Sequence, residues 1–202
     1  MGFHFYGTIS AIVFPTFLTA TCYLGTWVLM LLDGSWTEIF SLREWKISFQ
    51  EWTWWRHIIV GPISEELAFR SCTAVLINYC FGWSSSLFIS PLFFSLCHFH
   101  HIHNDLKEGA TLSNAILQRA FQATYSYLFG VYATYLFLRT GHIFAPIFSH
   151  SLCNGLGLPN IAEIGTYQKE TRIKLWISYF VGLFLWILLL DPLTTPILYQ
   201  FL

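Results

Sequence analysis

The sequence predicts an all-α protein, a polytopic transmembrane helical bundle with about six spanning helices. Three observations carry that prediction. The 202 residues are 55% hydrophobic and only 10% charged, whereas an average soluble domain is about 25% charged. Aromatic residues make up 19% of the chain, with Trp and Tyr prominent, which suits belts where bilayer meets water. Apolar runs approaching the roughly 20 residues that a helix needs to cross a bilayer core recur about six times.

In chain order, the first segment is Phe5 to Leu32. The N-terminus lacks the basic region of a cleaved signal peptide, so this segment is expected to be retained. A wetter stretch, Asp33 to Arg56, sets Trp36, Trp45, Trp52, Trp54 and Trp55 among charges and suits a segment lying partly in the interface. The second segment runs from about His57 to Phe81 and turns at Gly82 into the third, about Trp83 to Phe99. The polar loop HHIHNDLKEGAT leads to the fourth, about Leu112 to Leu138, and Gly141 stands just past its end, where a glycine is favoured. The fifth is short, about Ile143 to Leu156. The sixth covers about Leu175 to Leu190, and Pro192 and Pro196 break the chain beyond it.

If the segments alternate, Arg43, Lys46, Arg56, Lys107, Lys169, Arg172 and Lys174 fall on one side and Arg139 on the other. The basic side is then cytosolic and both chain ends lie across the membrane. A formal net charge of -1 leaves no electrostatic footprint for nucleic acid. The five cysteines sit in apolar stretches without CxxC spacing and read as small buried hydrophobes, not as a metal or disulfide framework.

Against this background the polar residues inside apolar helices stand out, because ionisable groups at membrane depth are costly and mark candidate functional sites. GPISEELAFR holds Glu65, Glu66 and Arg70; Glu66 and Arg70 share a face at i, i+4, while Glu65 is rotated by roughly 100°. FFSLCH places Phe94 and His98 at i, i+4, and HSLCN does the same with His150 and Asn154. A proline precedes each (Pro62, Pro91, Pro146), freeing a helical carbonyl and favouring a bend that lines a cavity. Glu65 lies nine residues inside Arg56, about 14 Å along a helix. His98 and His150 approach the same side, so one cavity open to the cytosol accommodates all three groups. Gln118, Arg119 and Gln122 open the fourth helix and either line that cavity or snorkel outward. His100, His101 and His103 sit at a helix end and are expected to be solvated; His4, His57 and His142 flank other helix ends.

A carboxylate facing a neutral imidazole can hold and deprotonate a water, and a second imidazole with a carboxamide can donate to a developing oxyanion. Glu65 as base, His98 as its partner, and His150 with Asn154 as the oxyanion site make a complete set for amide hydrolysis. Nothing in the set calls for a cofactor or metal, and HExxH is absent.

EELAFR, FSLCH and HSLCN match in order the EExxxR, FxxxH and HxxxN motifs of the CAAX-protease and bacteriocin-processing family. The flanking PLFFSLCHFHH, FLRTGHIFAPIFSHSLCN and LLLDPLTTPILY resemble the eukaryotic type II CAAX prenyl endopeptidases, the Ras-converting enzymes. The resemblance runs from about Phe5 to the C-terminus. It implies an endoplasmic-reticulum glutamate protease, multi-pass and accessible from the cytosol. Its substrates would be farnesylated or geranylgeranylated CAAX proteins such as Ras-type small GTPases, from which it removes the last three residues. It further implies that Glu65 and His98 activate water, that His150 and Asn154 hold the oxyanion, and that Glu66, Arg70 and Phe94 support the site. Sixty-four residues precede Glu65, fewer than in eukaryotic relatives. The expected single membrane-embedded domain over 1–202 is therefore either a short form or one lacking N-terminal helices. Two other classes stay open: a membrane zinc metalloprotease using Glu65, His98 and His150 as ligands, and a non-catalytic binder or scaffold of the same fold.

Overall fold

The computed structural model describes residues 2–199, and among these the chain is built from helices and turns without a strand. The first predicted segment is two helices, not one. Helix α1 (Thr8–Cys22) and helix α2 (Leu24–Asp33) meet at Tyr23, whose φ/ψ of -86°/15° leaves the helical range, and their axes diverge by 68°. The indole N–H of Trp27 donates to the Ala20 carbonyl at 3.0 Å across the break. Small residues let a neighbouring helix press against it: a Cβ on Gly182 would lie 2.7 Å from the Thr21 carbonyl oxygen, and one on Gly25 would enter the ring of Tyr179. A side chain at either position would push the helices apart.

The tryptophan-rich stretch forms α3 (Trp36–Ile39) and α4 (Leu42–Gln50), neither with a buried residue. Ser41 caps α4 by accepting from the Glu44 N–H, as a Ser three residues before a Glu is suited to do. Trp45, Phe49, Trp54 and Trp55 pack edge-on or tilted against one another outside the core. Helix α5 (52–81) follows without interruption but changes pitch: π turns over Arg56–Val60 and Leu67–Ala74 bracket the α-helical Gly61–Glu66. Then come α6 (Trp83–Leu96) with a 3-10 extension over Cys97–His101, α7 (Ile102–Lys107), and the 29-residue α8 (Leu112–Thr140). Gly141 ends α8 in the left-handed conformation (φ 70°), as its sequence position predicts. Helices α9 (Phe144–Leu156), α10 (Ile161–Thr166) and α11 (Lys169–Leu193) complete the bundle; Pro192 lies inside the last turn of α11 and not beyond it.

Helices α6 and α8 pack closely, with Gly130 against Pro91 and the Ser90 and Thr134 hydroxyls 3.3 Å apart. Ala11 and Leu18 of α1, Leu136 of α8, Ala145 of α9 and Tyr199 form the largest apolar cluster. Arg139 pairs with Asp191, the Ile143 N–H donates to the Gly2 carbonyl, and His142 meets Tyr199. These contacts gather both described chain ends and the α8–α9 turn at one end of the bundle.

The observed helices reproduce the predicted second to sixth segments to within a few residues, except that α11 begins at Lys169, six residues ahead of Leu175. Taken alone, however, only α11 among the described residues is long and apolar enough to cross a bilayer, with the α1–α2 pair as a second candidate if the bent pair is one span. The fold class is therefore all-α, and a count of six spans goes beyond it.

Candidate active site

The site begins with Pro62. In the π pattern set by the Gly61 N–H donating to the Arg56 carbonyl, the next donor would be residue 62. Proline has no N–H, so the His57 carbonyl is left without a helical partner. The side-chain amide of Asn154 supplies one, its Nδ2 donating at 2.9 Å. A carbonyl only accepts, so this contact also orients the amide. Asn154 thereby ties α9 to the glutamate helix and keeps one N–H to spare.

One turn further, Glu66 and Arg70 are both essentially inaccessible and form the expected pair, Nη1 to Oε1 at 2.9 Å. The guanidinium also lies 4.6 Å over the Phe94 ring and donates from Nη2 to the Gly130 carbonyl at 3.4 Å. Glu66 Oε1 accepts a second bond, from Nδ1 of His150 at 2.7 Å. The carboxylate thus joins an arginine on its own helix to a histidine on α9.

That bond decides what His150 can do. With Nδ1–H committed to Glu66, the neutral ring has only a lone pair on Nε2, and donation from Nε2 requires the doubly protonated ring. Nε2 faces Glu65, whose Oε2 is 3.8 Å away. The two adjacent glutamates therefore flank one imidazole from its two nitrogens. Among the described residues this is the only imidazole within 4.0 Å of Glu65; His98, which the sequence pairs with Glu65, is not at contact distance. Nδ1 of His98 is 3.0 Å from the Phe94 carbonyl, which can only accept, so Nδ1 carries the proton and Nε2 the lone pair.

Phe94 explains why a phenylalanine stands four residues before His98. Its ring is 2% exposed and meets His98 edge-on at 5.2 Å, His150 edge-on at 6.0 Å, and the Arg70 guanidinium on its face. One aromatic side chain thus spaces both histidines. Phe129 of α8 backs His150 from 4.8 Å, a contact that no motif signalled because Phe129 sits in an ordinary apolar run.

These groups border a cavity of about 320 Å³ lined by His98, His150 and Asn154 on one side and by Gln122, Tyr125 and Ser126 of α8 on another, with Tyr23 entering from the α1–α2 break. Glu66 and Arg70 lie behind it. Gln122 therefore lines the cavity, Gln118 is exposed, and Arg119 turns to Asp105. The hydrogen bond from Arg119 holds the Asp105 carboxyl below the usual carboxylate range. Of the loop histidines, His100 and His103 are exposed while His101 is half-buried; His142, at another helix end, is buried. Among the described residues no group of three or more His, Cys, Asp or Glu side chains is arranged to hold a metal ion.

With this geometry in place, comparison with known proteins supplies the family. The sequence pattern described as type II CAAX prenyl endopeptidase Rce1-like matches residues 47–156, which include every site residue described here except Tyr23. The chain belongs to the Rce1-like family. It is 43% identical over 173 residues to CAAX prenyl protease 2 of Caenorhabditis elegans, covering 85% of this chain and 65% of that protein. It is 35% identical over 206 residues to CAAX prenyl protease 2 of Homo sapiens, covering 98% and 62%. The protein of that name from Arabidopsis thaliana is also 35% identical, over 94% and 65%. The chain thus spans a little under two thirds of the length of these Rce1-like relatives. No solved structure matches it.

Proposed function

We propose that this chain is an intramembrane endopeptidase that releases the C-terminal aaX tripeptide from prenylated CAAX proteins by metal-independent, glutamate-type hydrolysis. The observation that carries the reading is that His98, His150 and Asn154 line one cavity, with Glu65 3.8 Å from Nε2 of His150; the names of its relatives supply the substrate class. Prenylated Ras-type GTPases fit that class. The six apolar segments would each cross the membrane, with the cavity opening to the cytosolic face of the endoplasmic reticulum.

The chemistry follows from the side chains. Water sits between the Glu65 carboxylate and the Nε2 lone pair of His98. Glu65 takes a proton as the oxygen attacks the carbonyl carbon after the prenylated cysteine. The carbonyl oxygen gains negative charge and is met by the spare N–H of Asn154 and by Nε2–H of a doubly protonated His150. Two carboxylates against one guanidinium leave the cluster one positive charge short of balance, and a proton on His150 supplies it. When the C–N bond breaks, the proton returns from Glu65 to the departing amine. The products are a prenylcysteine carboxylate and a free tripeptide.

The test is tripeptide release from a farnesylated CAAX peptide by purified protein with chelator present, run beside Glu65→Ala and an unprenylated peptide. Prenyl-dependent cleavage that persists in chelator and vanishes in Glu65→Ala is the expected result. Loss of activity in chelator with recovery on adding zinc would instead make this a metalloprotease. Prenyl-peptide binding without cleavage by the wild type would make it a non-catalytic binder.

A further inference from the structure

The cavity has a second polar wall that hydrolysis does not use. On α8, Arg119, Gln122 and Ser126 follow at three- and four-residue spacing and share a helix face, with Tyr125 beside them; Gln122, Tyr125 and Ser126 line the same cavity as His150 and Asn154. Arg119 does not reach into it. Its Nε donates to Asp105 Oδ2 at 2.6 Å, its Nη2 donates to Asp105 Oδ1, and its Nη1 donates to Gln122 Oε1.

This arrangement orients Gln122. A guanidinium can only donate, so the amide oxygen faces Arg119 and the amide nitrogen faces away from it. Bonding of the amide oxygen to a cation also polarises the amide and strengthens its N–H donors. Among the described residues, Gln122 Nε2, the Tyr125 hydroxyl and the Ser126 hydroxyl have no protein hydrogen-bond partner. Three donors on one wall thus lack acceptors, and one of them is held by a fixed ion pair.

We propose that Gln122, Tyr125 and Ser126 form a subsite for the free C-terminal carboxylate of the substrate peptide, with Asp105 and Arg119 as positioning residues that fix Gln122. The proposal rests on the endopeptidase reading of the site. In a substrate cut three residues from its end, the terminal carboxylate lies at most about 10–11 Å beyond the scissile bond. The donors of His150 and Asn154 are taken by the scissile carbonyl, whereas the α8 residues that line the cavity offer neutral donors and no carboxylate of their own. Because Asp105 balances Arg119, the wall binds by hydrogen bonds to a charged acceptor. Such bonds correspond to a preference of about 10- to 100-fold for an acid over an amide.

The experiment uses two farnesylated CAAX peptides that differ only in a terminal carboxylate or carboxamide. Competition binding is measured on Glu65→Gln, which prevents turnover, and kcat/KM on protein with Glu65 intact. The quantity read is the acid-to-amide ratio, in which any loss of folded protein cancels. The ratio is expected to be about 10–100 and to fall toward one in Gln122→Met, and likewise in Asp105→Asn through misplacement of Gln122. A ratio near one, or a ratio unchanged in Gln122→Met, overturns the subsite even if both peptides are cleaved. Retention of the acid preference in binding with no hydrolysis overturns the endopeptidase reading and leaves the subsite standing.

Discussion

Replacing Arg70 by Met strips the inaccessible Glu66 carboxylate of its guanidinium and leaves it the single bond from His150. Removing one partner of a buried pair costs about 3–5 kcal/mol because the remaining charge stays buried without compensation. The bond from His150 places this case toward the lower end, a factor of roughly 10² in the folding equilibrium. The double variant Glu66→Leu/Arg70→Met removes both charges and keeps similar volume, and such replacements are often neutral or stabilising. Most of the lost stability should therefore return. Activity should not, because His150 then has no acceptor at Nδ1 and nothing sets which nitrogen carries its proton. Loss of one oxyanion donor corresponds to a fall of about 10²–10³ in kcat. Thermal unfolding followed by circular dichroism in detergent reads the first quantity, and hydrolysis of a farnesylated peptide reads the second. A double variant as unstable as Arg70→Met would refute the buried-charge argument. A double variant with wild-type turnover would refute the positioning of His150 by Glu66.

Phe94→Ala should lose about 3–5 kcal/mol and abolish activity by freeing both histidines, whereas Phe94→Leu should retain most of the stability and little of the turnover; melting and kcat on the same preparations separate the two. Asn154→Asp sets a carboxylate against the His57 carbonyl where an amide N–H now donates, so it should impair stability more than Asn154→Leu, as compared by chemical unfolding. A Cβ at Gly130 would sit 2.9 Å from Pro91 Cβ and 3.3 Å from the Phe94 ring; Gly130→Ala should cost about 1–3 kcal/mol by forcing α6 from α8, visible as a lowered melting temperature. Asp105 has its pKa lowered first by the hydrogen bond from Arg119. Its stabilisation is present above the unfolded carboxylate value of about 3.9 and is lost as pH falls through the lower folded value. The stability gap between wild type and Asp105→Asn should therefore be constant from about pH 5 to 8 and shrink below about pH 4.

The sequence by itself determined the helical class, most segment boundaries, the Glu66–Arg70 pair and the two other i, i+4 motif pairs. Each of these depends on spacing along one helix, and i, i+4 geometry is the same in any fold. The break at Tyr23 was not legible, since Phe5 to Leu32 is evenly apolar and the bend comes from how closely Gly25 and Gly182 admit α11. Nor was the orientation of Glu65 legible. Its partner stands far along the chain, and which imidazole it meets depends on how α6 and α9 cross α5. Phe94 packs edge-on against both rings, and the imidazole within 4.0 Å of Glu65 is that of His150. The tautomers of both histidines and the orientation of Asn154 and Gln122 likewise come from single contacts with carbonyls, a carboxylate and a guanidinium, each of which can play only one part in a hydrogen bond. Local periodicity carries the first kind of information; only tertiary structure carries the second.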